Sequence, residues 1–188
     1  MNRGRCFSLL LSAIILLLAN SLVACAPSST LSLTYENAAY GVRIKYPQDW
    51  IQGGGSMGAF VVFYPPKSSG SFPFLEENLS ISFEDLSAQP MTLDAYIQLS
   101  INKPRQSVTD FSLIDSSPTT LAGIPAHKVV FTGKHDQDSL EWLQVYTIIG
   151  NRAYTITYIA KQATYADFLG IVEQMIDSLH QLAGAGVP

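Results

Sequence analysis

The sequence predicts an α+β domain, an antiparallel β-sheet packed with helices. Three observations predict it. Segments of strand period and helix period succeed one another as strands, helix, strands, helix. The joins between the later strands are short and turn-like, whereas parallel pairing would need a crossover of about a dozen residues or more. The C-terminal segment carries one apolar stripe at helical spacing.

Leu31 to Glu36 reads as the first strand, with Asn37-Ala38-Ala39 as a turn. Val42 to Tyr46 alternates apolar and basic residues, the period of a half-buried strand, and Pro47 ends its pairing because it has no N–H to donate. Trp50 is expected to fold back onto the core. Gln52 to Gly58 reads as a glycine-rich loop, Ala59 to Tyr64 as a buried strand, and Pro65 to Pro73 as a loop. Leu79 to Phe83 alternates again. Thr92 is an N-cap candidate for a helix with Leu93, Tyr96, Ile97 and Ile101 on one face, which Pro104 is expected to stop. Phe111 to Asp115, Ala126 to Thr132, Leu140 to Ile149 and Arg152 to Ala160 read as four more strands. Thr164 and Asp167 have capping-box spacing ahead of a stripe formed by Tyr165, Phe168, Leu169, Val172, Met175, Ile176 and Leu179.

The N-terminus reads differently. Arg3 and Arg5 precede an apolar run from Phe7 to Ala19, and Leu22-Val23-Ala24-Cys25 resembles the bacterial lipobox at all four positions. The run falls short of the ~20 residues that a bilayer core needs, and Asn20 and Ser21 interrupt it. The expected organisation is a lipoprotein signal peptide at 1–24, a lipidated Cys25 with a short linker at 25–32, one domain at 33–182, and a flexible tail at 183–188. Cys6 falls in the export segment and Cys25 at its end, and they are the only two cysteines. The expected mature domain therefore has no disulfide and no thiolate site, and its core alone must hold it. The 11 basic residues lose Arg3 and Arg5, leaving 9 against 15 acidic ones, a net −6. That balance argues against nucleic acid as a partner and leaves the membrane contact to the anchor at Cys25.

Tyr40-Gly41-Val42-Arg43-Ile44-Lys45-Tyr46-Pro47-Gln48-Asp49-Trp50 resembles the opening strand of PsbP-like proteins, in which an aromatic-Gly pair leads a strand ending in Tyr/Val-Pro-x-x-Trp. Leu121 to Val130 is similar to that family's entry to a long strand, and Asn151 to Thr157 to the strand before its C-terminal helix. The resemblance spans roughly Leu33 to Leu182. It implies the Mog1/PsbP fold, an α-β-α sandwich, and a non-catalytic role. It carries over no metal or binding residue, and no counterpart of the plant members' N-terminal extension is found.

Each reactive residue has a plainer reading. His127 fits a strand, His135-Asp136-Gln137-Asp138 a solvated hairpin tip, and His180 a helix C-terminus, where a partly charged imidazole suits the dipole. Glu76, Glu77, Glu84 and Asp85 fit an exposed strand edge. Gly53-Gly54-Gly55 lacks the Lys and the helix of a phosphate loop, and no Gly-x-Ser-x-Gly elbow occurs. No enzyme, metal or cofactor is expected. Phe72 and Phe74, in a Pro- and Ser-rich loop, are candidates for an exposed partner contact. The expected function is that of a lipid-anchored interaction or assembly module on the extracytoplasmic face of the cell membrane, with a protein partner. The alternative is a carrier or sensor of a small apolar or lipid ligand.

Overall fold

The computed structural model describes residues 30–55, 58–66 and 77–182. The expectations for Cys25, for Phe72 and Phe74, and for the tail at 183–188 concern residues outside that set.

The strands are β1 (Leu31–Asn37), β2 (Val42–Pro47), β3 (Ile51–Gly54), β4 (Ala59–Tyr64), β5 (Asn78–Asp85), β6 (Thr109–Leu121), β7 (Ile124–His135), β8 (Asp138–Ile149), β9 (Arg152–Lys161) and β10 (His180–Gln181). The helices are α1 (Leu93–Ser107) between β5 and β6, and α2 (Tyr165–Asp177) after β9. The order is α+β with antiparallel pairing throughout, as the sequence predicts. The expected single sheet is two: a seven-stranded sheet ordered β3-β4-β5-β9-β8-β7-β6, and a three-stranded sheet ordered β1-β2-β10.

The large sheet is covered on both faces, and strand alternation sorts its side chains. Leu143 and Val145 of β8 join Ile156, Tyr158 and Ala160 of β9 against Val172, Met175 and Ile176 of α2. Ile44 of the small sheet and Trp50, 4 % exposed, close that core. On the opposite face Phe131 and Tyr146 pack with Tyr96, Ile97 and Ile101 of α1. Period-2 alternation thus feeds two cores from one set of strands.

Several boundaries differ from the sequence reading. Gln52 to Gly54 is not loop: Ile51 pairs with Tyr64 and Gly54 with Val61, so backbone pairing makes an edge strand from residues of low strand propensity. α1 runs through Pro104 to Ser107. A proline this late removes one helical hydrogen bond, and the Val108 N–H still donates to the Pro104 carbonyl at 2.8 Å. The β6–β7 turn is only Ala122-Gly123, both at positive φ (52° and 78°), the geometry of a two-residue hairpin. Thr164 precedes α2 without a side-chain cap; its hydroxyl donates instead to the Glu77 carboxylate. Glu77 therefore leaves the expected acidic edge and ties β5 to α2. His180 lies beyond α2, in β10, opposite Arg43.

Candidate binding groove

α1 lies over the β7 and β8 side of its face of the large sheet. Beside it the central strands turn short polar side chains outward. Ser82 of β5 is opposite Thr155 of β9, and Thr157 is opposite Gln144 of β8. These residues floor an open groove of about 480 Å³. One wall is α1, with Tyr96, Ser100 and Lys103; the other features are Glu84 and the aromatic rings of β8.

The floor is internally organised. Tyr146 donates its hydroxyl to the Gln144 amide oxygen, and Gln144 Nε2 donates to Thr157 Oγ1 at 3.2 Å. Tyr96 donates to Glu84 Oε2 at 3.2 Å. Burial pushes the Tyr146 hydroxyl well above its ordinary range, and burial followed by the charge of Glu84 pushes Tyr96 up as well. Both are neutral donors at any physiological pH. Trp142 stacks on Phe131 of β7, with ring centroids 4.9 Å apart and an interplanar angle of 11°. Trp142 also lines the groove. The wall of α1 sits this close because of Gly133. A Cβ there would come within 2.1 Å of Val108 Cγ1, so only glycine lets the chain leaving α1 cross β7.

This arrangement can hold a polar or amphiphilic group: neutral donors and acceptors on the floor, one carboxylate, one ammonium and an aromatic wall. It holds no nucleophile with an oriented base. The histidines are dispersed. His135 is at the exposed β7–β8 tip with Nδ1 3.5 Å from Asp136, His180 is exposed, and His127 Nε2 is 2.9 Å from Ser116 Oγ at the sheet margin. That hydroxyl–imidazole pair, invisible in the sequence because eleven residues separate its members, carries no carboxylate on the other ring nitrogen among the described residues. No group of three His, Cys, Asp or Glu among the described residues could hold a metal ion. No described helix is long and apolar enough to cross a membrane. The groove is absent from the sequence reading; its signal there is the polar half of the alternation in β5 and β9, Ser80-x-Ser82 and Thr155-x-Thr157.

The profile of the PsbP-like protein family matches residues 18–180. The chain belongs to that family. Solved structures agree on the fold of this PsbP-like chain. Cyanobacterial PsbP (CyanoP) from Synechocystis sp. PCC 6803 superposes with a TM-score of 0.58 at 17 % identity, covering 85 % of this chain and 98 % of its own. LpqN of Mycobacterium tuberculosis, described as involved in cell envelope biogenesis, superposes with a TM-score of 0.59 at 12 % identity, covering 76 % and 83 %. No curated protein matches the PsbP-like chain in sequence.

Proposed function

We propose that this chain is a membrane-anchored extracytoplasmic lipoprotein whose PsbP-like domain is a non-catalytic binding and assembly module, with the groove beside α1 as its contact surface. The open groove is the observation that carries this reading: a preformed, internally hydrogen-bonded polar floor next to Trp142, without a nucleophile–base pair. The anchor rests on Leu22-Val23-Ala24-Cys25. The description of LpqN as involved in cell envelope biogenesis is in keeping with an extracytoplasmic assignment. Phe72 and Phe74 are proposed to add a second, apolar contact.

The volume of the groove, within the range of small-ligand sites, favours one further reading, a carrier or sensor. Its lining combines Ser82, Glu84, Lys103 and Gln144 with aromatic rings, so the ligand of that reading is an amphiphile rather than a purely apolar molecule. A photo-crosslinking residue in place of Lys103, at the groove rim, separates the two in native membranes. A discrete protein adduct is the expected result. A small-molecule adduct alone would establish the carrier reading, and an unmodified protein would remove the groove from function.

A further inference from the structure

Four strand ends meet at one end of the domain. Leu31, the first residue of β1, pairs with Pro47, the last of β2. A tight turn follows, with the Trp50 N–H donating to the Pro47 carbonyl at 3.2 Å. Trp50 is buried by this turn, and Ile51 beside it is 66 % exposed, the most exposed large hydrophobic residue among those described. Ile51 in turn pairs with Tyr64, the last residue of β4. The start of β1 and the exposed Ile51 therefore lie at the same end. Among the other exposed large hydrophobics of the described residues, Leu33 lies two residues into β1 near this end, Leu99 is on α1, and Leu113 and Ile114 are on β6, at the opposite edge of the large sheet.

Chain length fixes where that end can be. Six residue steps separate Cys25 from Leu31. Fully extended, they span at most about 22 Å. An acyl anchor at Cys25 thus holds the Leu31 end of the small sheet within about 22 Å of the bilayer surface, whatever path the tether takes. At that range a weak apolar contact, too small to bind a membrane by itself, becomes intramolecular and is populated. Between Lys45 and Lys67 the one charged residue is Asp49, so the turn offers an apolar contact at Ile51 and no basic patch to anionic lipid.

We infer that the Leu31–Ile51 end of the domain is a lipid-docking surface, with the Ile51 side chain seated in the interface of the same bilayer that holds Cys25. The inference rests on the lipid anchor proposed above. It orients the domain. The Gly150-Asn151 turn, at the far end of β8 and β9, points away from the membrane.

The test uses the full chain, exported and lipidated, with one new cysteine for a fluorescent probe. The acylated Cys25 thiol is consumed and Cys6 leaves with the export segment, so the new cysteine is the sole free thiol. Ile51→Cys, Ala88→Cys and Asn151→Cys proteins are reconstituted into phosphatidylcholine vesicles carrying a headgroup nitroxide lipid; Ala88, exposed after β5, lies at the Asn151 end, where Asp85 pairs with Arg152. Interfacial groups sit about 5–10 Å into the headgroup and acyl boundary, so quenching at 51 should exceed that at 88 and at 151 at least about twofold. It should persist at high salt. Equal quenching at the three positions, with the protein vesicle-bound, overturns the docking surface and leaves the anchor standing. Shielding at 51 that rises with the protein-to-lipid ratio assigns the surface to a second copy and also overturns it. A chain that stays in the aqueous fraction with Cys25 free to label refutes the anchor, and the docking surface with it.

Discussion

Val172→Asp tests how α2 holds the fold. Val172 is fully buried, on the stripe that α2 turns to Ile156, Tyr158 and the small sheet. Removing its two methyl groups from the core forfeits about 1.5–3 kcal/mol of apolar burial. The carboxylate that replaces them has no cation among the residues of that core, so it stays charged at a cost of several kcal/mol or takes up a proton. A total of about 4–6 kcal/mol is a large part of the 5–15 kcal/mol that a domain of this size typically has. At about 2–4 °C per kcal/mol the melting point should fall by roughly 10 °C or more. Trp50 sits 6.0 Å from Phe168 of α2, so its fluorescence reports the docking of this helix during urea unfolding. Val172→Ala supplies the burial loss without the charge and should cost about 2 kcal/mol. The sign with pH is fixed too. Burial raises the folded-state pKa of the new carboxyl above its unfolded value, so the excess penalty of Asp over Ala shrinks as pH falls toward 4 and grows as pH rises through the folded pKa. An Asp variant no less stable than the Ala variant near neutral pH would refute this orientation of α2.

Cys25→Ser should accumulate as an uncleaved precursor, seen as a mass that retains residues 1–24; a mature chain starting at residue 25 and still in the membrane would refute lipidation. Gly133→Ala should cost about 1–3 kcal/mol because its Cβ meets Val108 Cγ1, and Val108→Ala should recover most of that in a double-variant urea titration. Burial raises Tyr146, Tyr158 and Tyr165 above the ordinary 10.0, so the stability they carry is intact below pH 10 and lost as pH rises beyond it. Tyrosinate absorbance of these three should then appear only with loss of circular dichroism. Replacing His127, His135 and His180 together by Gln should leave partner crosslinking at the groove intact, because none of the three lines it; lost crosslinking with an unchanged melt would reveal a histidine site.

The sequence alone carried the class of this fold. Alternation in Val42–Tyr46 and the apolar stripe of α2 are local periodicities, and short joins such as Gly150-Asn151 force antiparallel neighbours, so the order of elements was legible. Tyr40-Gly41 and Pro47-x-x-Trp50 carried the family, since the buried Trp50 and the turn it closes are set within a few residues. Partners distant in the chain were not legible. β10 exists only because α2 delivers His180 and Gln181 to Arg43 and Val42, and β3 only because β4 pairs with it. Glu77 reaches Thr164 across 87 residues. The groove belongs to the same class: Ser82, Gln144, Thr155 and Thr157 are ordinary solvent-face residues in their own strands, and only the sheet order and the limited reach of α1 gather them. Local sequence sets dihedral preference and hydrophobic period. Which polar faces converge, and which strand ends share an end of the domain with the start of β1, is decided by long-range pairing whose partners no local pattern specifies.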